Sequence, residues 1–140
     1  MNNRFKFRVW LPDENRFMDN RFDNPIIDGN GNLMWSYLTP FAHWEHRPME
    51  NAIIEQCTGL TDKNGRLIFE GDILRATCTD GTHIDYPVGW WDGAFHMYTV
   101  DKSLIAETGT IEFCLRGLVS TQNCNYREII GNIHEVEGER

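Results

Sequence analysis

Residues 56–74 read QCTGLTDKNGRLIFEGDIL, and this stretch decides the fold because it holds the densest run of turn and strand signals in the chain. The pair Asn64-Gly65, flanked by β-formers, predicts a tight hairpin turn, since both residues tolerate the positive φ that such a turn requires. Gly71 follows just before another apolar run and indicates a bend into the next strand. The stretch therefore predicts strand, turn, strand, bend and strand, the beginning of a mainly β, barrel-like module.

Further along the chain, Asp80-Gly81 and Asp92-Gly93 repeat the hairpin signal between β-rich segments. Three consecutive hairpin signals are typical of a small meandering β-barrel. Residues 101–107 carry the one convincing helical pattern of the chain, with an aspartate in the N-cap position. This half of the protein is therefore predicted to be a barrel with little helix.

The N-terminal third predicts a separate β-rich portion. Residues 4–10 alternate charged and apolar side chains, the period of a half-buried strand, and a turn at residues 13–15 predicts a hairpin. Pro40 and Pro48 bracket an unusual segment that we interpret as a connector. We therefore divide the chain into residues 1–48, the N-terminal β-rich portion with its connector, and residues 49–140, a barrel portion that shares the core.

Three short motifs in the central stretch resemble the YopX family of bacterial phage and prophage proteins. They are CTGL at residues 57–60, DKNG at 62–65 and EGDI at 70–73. The opening FRVW at residues 7–10 and the closing EIIGNIHE at 128–135 are also similar to that family. The resemblance implies an N-terminal α+β portion followed by an SH3-like β-barrel, an α+β class that is mainly β. It implies no established activity and no catalytic residues.

The motif residues are predicted to shape the backbone. An aspartate that follows a positive-φ glycine, as Asp72 follows Gly71, more often accepts hydrogen bonds from backbone amides than acts as a catalytic carboxylate. A glycine late in the closing strand indicates a bulge or a close backbone approach. We assign this structural role to eight residues: Thr58, Gly59, Asp62, Asn64, Gly65, Gly71, Asp72 and Gly131.

Charge and hydropathy restrict the partners and the compartment. The 140 residues carry 13 Lys and Arg against 21 Asp and Glu, a net charge of -8 that disfavours binding to nucleic-acid phosphates. No apolar run approaches the roughly 20 residues that span a bilayer, and the N-terminus has no signal-peptide core. Four cysteines without a Cys-x-x-Cys pair suit free thiols. We therefore expect no membrane contact and a location in the bacterial host cytoplasm.

Two segments resemble parts of metal sites. His43 and His46 are three residues apart, so on one helical turn they could share a metal with Glu45 or a distant cysteine, but two histidines alone do not make a site. The sequence DGNGN at residues 28–32 copies the first three ligand positions of a calcium loop. Leu33 then replaces the required glycine and Thr39 the required glutamate, which favours a plain β-turn. We expect no metal and no cofactor.

Aromatic residues supply the candidate binding surface. They make up 12% of the chain, and we expect some to line a surface groove. In a strand, Trp90 and Trp91 point to opposite faces, so if one fills the barrel the other faces outward or packs beneath the N-terminal portion. We predict that Trp90, Trp91 and Phe95 form a binding surface, and a subdomain interface is the alternative.

Two classes of function are open to this sequence. The preferred one is a phage-derived accessory protein without enzymatic activity, whose barrel binds another protein or its own copies. The alternative is a small enzyme or metal-binding protein that uses His43, His46 and Cys57. No recognisable spacing of nucleophile, base and orienting group supports the alternative, and no phosphate-binding glycine-rich loop occurs. An acidic decoy for a nucleic-acid-binding host protein is a narrower idea, which the scattered acidic residues weaken.

Overall fold

The computed structural model of the chain describes residues 3–78, 80–91, 93–97 and 124–135, with backbone alone at residues 4, 78, 91 and 124–127. These residues form strands and one 3-10 turn at Asn3–Phe5, so the fold is mainly β, as predicted. The strands are β1 Phe7–Leu11, β2 Arg16–Phe17, β3 Pro25–Ile27, β4 Leu33–Leu38, β5 Trp44–Pro48, β6 Ile53–Thr61, β7 Leu67–Phe69, β8 Asp72–Cys78, β9 His83–Trp91, β10 Ala94–Met97 and β11 Cys124–Asn132.

The chain divides into two compact units. The N-terminal unit is Phe7–Glu55, and the C-terminal unit combines Met1–Lys6 with Gln56–Arg140. Strand β6 contributes its first residues to the N-terminal unit and the remainder to the C-terminal unit. The predicted domain boundary after residue 48 stays a prediction.

The N-terminal unit is built from antiparallel strands around a small apolar core. β1 pairs with β2 in the predicted hairpin, with Trp10 opposite Phe17, and β3, β4 and β5 form a three-stranded sheet in that order. The side chains that close this core come from several loops and strands: Val9, Leu11 and Met18 are buried, and Phe7, Leu33, Trp35, Met49 and Ala52 pack against them. The core explains why the alternating residues of β1 form a half-buried strand.

Two expectations for the N-terminal portion differ from what the described residues show. Residues 3–55 contain no α-helix, so the α part of the expected α+β portion is not found there. Residues 39–48, which we interpreted as a connector, form a hairpin tip followed by β5. Both prolines suit that hairpin, since proline is favoured at the second position of a turn and tolerated on an edge strand. Prolines that bracket a segment can therefore mark a hairpin as well as a linker.

The C-terminal unit contains an antiparallel sheet in the order β10-β9-β8-β11, and β7 pairs with β6. The predicted hairpins that join β8 to β9 and β9 to β10 are confirmed by their registers. Ile68, Leu74, Val88 and Met97 form the buried core of this unit. Closure of these strands into an SH3-like barrel stays a prediction, and the helix expected at residues 101–107 lies outside the described residues. None of the described segments is a helix with the length and apolarity to cross a bilayer.

Three hairpin loops share one backbone design. In each five-residue loop, the amide of the first residue donates to the carbonyl of the fifth residue. The amide of the fourth residue donates to the carbonyl of the first residue, and the fourth residue has a positive φ. The loop 62–66 has these bonds at 2.8 and 3.0 Å, the loop 28–32 at 3.0 and 3.0 Å, and the loop 39–43 at 2.8 and 3.0 Å. The fourth residues are Gly65, Gly31 and Ala42, with φ of 80°, 83° and 61°. This is a type I turn followed by a left-handed residue.

This loop corrects the turn expected at Asn64-Gly65. Of these two residues, only Gly65 has a positive φ, and the connection has three residues between the paired Asp62 and Arg66. The Asp62 carboxylate explains the difference, because its Oδ1 accepts the amides of Asn64 and Arg66, each at 2.9 Å. Those two bonds stabilise the longer loop. The Asp28 carboxylate accepts the amides of Asn30 and Asn32 in the same way, so this segment forms the β-turn favoured over a calcium loop.

Candidate functional site

Trp90 and Phe95 form an aromatic pair near the tip of the β9–β10 hairpin. They face each other across the two strands, their ring centroids are 4.7 Å apart, and their planes meet at 72°. This is the edge-to-face geometry that aromatic rings prefer. Trp90 is 52% exposed, so about half of a large apolar ring meets solvent. We call this pair the aromatic patch.

The core of the C-terminal unit holds the aromatic patch in place. Val88 and Met97 face each other on the same two strands, two residues away from Trp90 and Phe95, and both are buried. Because every second residue of a strand lies on the same face, Trp90 and Phe95 continue the row that Val88 and Met97 begin. Phe95 packs against the core cluster that contains Val88 and Met97, whereas about half of the Trp90 side chain is exposed to solvent. The exposed ring therefore lies on two paired strands that are packed against the core.

Trp91 was predicted to share this surface. Its backbone lies in β9 opposite Ala94, and its side chain lies outside the described part of the chain. Its role in binding or at a subdomain interface stays a prediction. The structure thus brings together two of the three predicted binding residues, Trp90 and Phe95.

Thr58, Gly59 and Asp62 lie on the hairpin formed by β6 and β7. The Thr58 hydroxyl donates to the carbonyl of Ile68 at 2.8 Å and accepts the amide of Leu60 at 3.1 Å. Gly59 has a φ of 82°, at a register irregularity between Cys57 and Thr61. A side chain in that left-handed conformation would be strained, which explains glycine here.

Asp62 connects its hairpin to β11. Its Oδ2 accepts the amide of Ile129 at 3.1 Å, in addition to the two loop amides that bond to Oδ1. Burial raises the pKa of Asp62, but the hydrogen bonds from Ile129, Arg66 and Asn64 lower it, and the net pKa lies below its usual value. The carboxylate is therefore held ionised and occupied by backbone amides, an arrangement suited to stabilising a turn.

Gly71 and Asp72 form a second junction of the same unit. Gly71 has a φ of 81°, donates its amide to the carbonyl of Val88 at 2.8 Å and accepts the amide of Ile133 at 2.8 Å. The buried Asp72 carboxylate accepts the amide of Phe69 at 2.9 Å. These bonds link the turn before β8 to β9 and to the end of β11.

Gly131 lies in β11, at a register irregularity that begins at Ile129. A β-carbon at this position would collide with the carboxylate of Glu135, the flexible end of a side chain. The register irregularity agrees with the predicted bulge, whereas the close contact is with the Glu135 side chain and not with another backbone segment. All eight motif residues lie in turns or strands of the C-terminal unit.

The residues of the alternative enzyme or metal hypothesis lie in different surroundings. The ring nitrogens of His43 lie 3.2 Å from Glu45 Oε1 and 3.3 Å from Thr39 Oγ1. His46 lies in β5 opposite Ser36, so the two histidines do not share the expected helical turn. Cys57 is fully buried in the C-terminal unit. Across the described ranges, no three His, Cys, Asp or Glu residues come together as metal ligands.

Sequence reasoning missed an exposed surface on the β4–β5 hairpin. Leu38 and Trp44 face each other across the strands and are 56% and 58% exposed, and Phe41 at the tip is 85% exposed. All five residues of β5 are exposed. The aspartate and glycine that signal the loop at residues 62–66 are missing here, because Thr39 and Ala42 stand in those positions.

Comparison with known proteins agrees with the motif analysis. The sequence profile described as YopX protein matches residues 6–137. A crystal structure of protein EF1440 from Enterococcus faecalis is similar, with 26% identity, a TM-score of 0.56 and coverage of 93% of each chain. The crystal structure of protein yopX from Bacillus subtilis has 20% identity, a TM-score of 0.59 and coverage of 96% of this chain and 94% of that one. Among curated proteins, none matches. Because the profile spans nearly the whole sequence, the chain belongs to the YopX family.

Proposed function

We propose that this chain is a non-enzymatic accessory protein that binds another protein through the aromatic patch of Trp90 and Phe95. The proposal includes a phage or prophage origin and action in the cytoplasm of a bacterial host. The resemblance to phage and prophage proteins supports the origin, and the relatives from Enterococcus faecalis and Bacillus subtilis fit a bacterial setting.

The observation that carries the proposal is the exposure of Trp90 beside Phe95, which packs against the core. Tryptophan is enriched among residues that dominate binding energy, because a large ring loses much apolar surface to a partner at a small entropic cost. A tryptophan that is about half exposed has about 100 Å² to bury, worth about 2–3 kcal/mol. Phe95 and the core beneath it already hold the ring in place. Little conformational freedom is therefore lost when a partner covers it.

The net charge restricts the chemistry of the partner. At -8, the chain repels strongly acidic surfaces and nucleic-acid phosphates and favours neutral or basic protein surfaces. A neutral apolar pocket with a basic rim would match both the exposed ring and the overall charge.

The SH3-like barrel is the structural part of this proposal. The antiparallel order β10-β9-β8-β11 and the two hairpins within it support such a barrel. Barrels of this kind bind peptides in grooves lined by aromatic side chains. A half-exposed tryptophan stacked on phenylalanine is suited to form part of such a groove.

Capture of partners from a bacterial lysate, followed by a binding measurement with the purified partner, tests the proposal. Trp90→Ala should weaken binding by about tenfold or more, because about 1.4 kcal/mol corresponds to each factor of ten. Ile84→Ala is the matched control, since Ile84 is a 42% exposed apolar side chain in the same strand. The control should bind like the wild type.

A thermal denaturation of each variant separates binding from folding. Trp90→Ala should lower the melting temperature by only a few degrees, because loss of one exposed aromatic pair removes about 1 kcal/mol. Unchanged partner binding in the folded variant would refute the proposal. Collapse of the fold would show that the ring belongs to the core, and would refute it as well.

The described residues give no support to the enzyme or metal hypothesis. Full burial of Cys57 prevents its thiol from meeting a substrate, and the Cys57 sulfur lies 3.4 Å from the amide of Gly59. His43 and His46 lie on an exposed hairpin of the N-terminal unit. The protein-binding function is therefore the only one that we carry forward.

A further inference from the structure

Among the described strands, β5 is an edge of the three-stranded sheet of the N-terminal unit. It lies at one side of the sheet β3-β4-β5, and all five of its residues, Trp44 to Pro48, are exposed. An open edge offers backbone donors and acceptors to another strand. Natural proteins often block such an edge against pairing. The backbone groups and side chains of β5 therefore determine which strand could pair with it.

The ladder with β4 determines which backbone groups face outward. At one end, the Thr39 amide donates to the His43 carbonyl at 2.8 Å, and at the other the Met49 amide donates to the Leu33 carbonyl at 3.0 Å. The register between the strands is continuous over this length. Because hydrogen-bonded pairs recur at every second residue of an antiparallel ladder, the odd-numbered residues of β5 bond to β4. The even-numbered residues direct their backbone groups to the open side.

This alternation restricts how two copies of the edge can pair. In an antiparallel pair, outward-facing residues must lie opposite outward-facing residues, so the registers with the greatest overlap are centred on residue 45, 46 or 47. A centre at Glu45 places that carboxylate opposite its own copy, and a centre at Arg47 places two guanidinium groups opposite each other. A centre at His46 places Glu45 opposite Arg47. The charges of Glu45 and Arg47 therefore favour the register centred on His46.

We propose that β5 pairs with β5 of a second copy of this chain, antiparallel and centred on His46, so that the two three-stranded sheets become one six-stranded sheet. Two Glu45–Arg47 pairs form across the two-fold axis, in non-hydrogen-bonded positions where side chains are closest. The His46 backbones exchange two hydrogen bonds, and each Trp44 amide donates to a Pro48 carbonyl. Because Pro48 has no amide hydrogen, it donates no hydrogen bond in return, and the ladder between the two copies ends at this residue.

The side chains within one copy are already arranged for this pairing. Tyr37 lies beside both charged residues: its hydroxyl donates to Glu45 Oε2 at 2.8 Å, and the Arg47 guanidinium lies 5.9 Å from its ring centroid. Glu45 and Arg47 therefore lie on the same face of the sheet. On the opposite face, the exposed Trp44 ring meets the second copy's Pro48, which covers apolar surface.

This self-association does not depend on the aromatic patch, which belongs to the other unit. The molar mass of the full chain, measured by light scattering and sedimentation from about 1 μM to about 1 mM, tests it, because a five-residue edge makes a small interface of modest affinity. We expect a monomer–dimer equilibrium within this range. A monomer at all these concentrations would overturn the proposal.

Charge reversal tests the register. Glu45→Arg and Arg47→Glu should each raise the dimer dissociation constant by about tenfold or more, because each variant puts like charges opposite each other at two places. An equimolar mixture of the two variants should form a heterodimer, since every pair is then complementary. Dimers that resist both reversals, or a mixture that stays monomeric, would refute the His46 register.

His46→Pro tests the use of the backbone. This amide faces away from β4, so proline should leave the melting temperature of the monomer nearly unchanged while it abolishes the dimer. Trp90→Ala is the matched control and should leave the dimer intact. A dimer that survives His46→Pro, or one that Trp90→Ala abolishes, would show that β5 is not the interface.

Discussion

Ala42 is the residue whose replacement best tests the loop design found in this structure. It occupies the fourth position of the loop 39–43 with a φ of 61°, in the left-handed region. Gly31 and Gly65 occupy the same position in loops with the same hydrogen bonds. We predict that Ala42→Gly stabilises the protein, because glycine adopts this conformation without the clash that a β-carbon causes.

The magnitude follows from two opposing effects. The left-handed conformation costs an L-residue about 1–2 kcal/mol, which glycine avoids. Glycine in turn gains about 0.5–1 kcal/mol of conformational freedom in the unfolded chain. Ala42→Gly should therefore raise the free energy of unfolding by about 0.5–1 kcal/mol, or the melting temperature by about 2–4 °C for a chain of this size.

The two glycine loops provide matched controls. A β-carbon at Gly31 or Gly65 would meet no atom within 4 Å, so replacement changes conformational energy without creating a clash. Gly31→Ala and Gly65→Ala should each lower the free energy of unfolding by about 0.5–1 kcal/mol. Urea denaturation followed by tryptophan fluorescence measures all three variants against the wild type.

The signs of the three changes decide the result. A lower free energy of unfolding for Ala42→Gly, with the expected losses for the two controls, would show that the 39–43 loop differs from the other two. No change in any variant would show that the positive φ carries no energetic penalty here, and the argument from loop geometry would fail.

Four further outcomes are expected. Gly71→Val should lower the free energy of unfolding by about 1–3 kcal/mol, since a β-branched residue is strained at a φ of 81°, and an unchanged urea midpoint would contradict this. Gly131→Ala should cost less than about 1 kcal/mol because the flexible Glu135 side chain can move aside; a loss as large as that of Gly71→Val would show a rigid contact. Because hydrogen bonds hold the pKa of Asp62 below its unfolded-state value, its stabilisation is complete above about pH 4 and is lost as the pH falls through the lower folded-state pKa. The stability difference between wild type and Asp62→Asn should therefore shrink in acid, and a difference independent of pH would argue against an ionised carboxylate in this role. Elemental analysis after dialysis should find no stoichiometric zinc or calcium, and about one metal per chain would overturn that expectation.

Local sequence determined the hairpins. An aspartate with a glycine three residues later encodes the loops at residues 28–32 and 62–66, because the carboxylate accepts nearby amides and glycine adopts the left-handed φ without strain. The strands on either side of Asp80-Gly81 and of Asp92-Gly93 likewise pair as their flanking patterns predicted. All these interactions lie within about five residues, so the sequence alone predicts where the hairpins turn, although the turn expected at Asn64-Gly65 is a longer loop in the structure. The loop 39–43 escaped prediction because threonine and alanine replace the aspartate and glycine.

Tertiary structure alone decided which surfaces stay open. Strand alternation predicts that Trp90 and Val88 share a face. The packing of distant residues such as Ile68 and Leu74 buries Val88, while Trp90 stays half exposed. Similarly, the composition of residues 44–48 allowed a connector or a metal-binding turn, and only the pairing with β4 made them an edge strand with alternate backbone groups turned outward. Exposure depends on what the rest of the chain places nearby, and a local pattern does not contain that information.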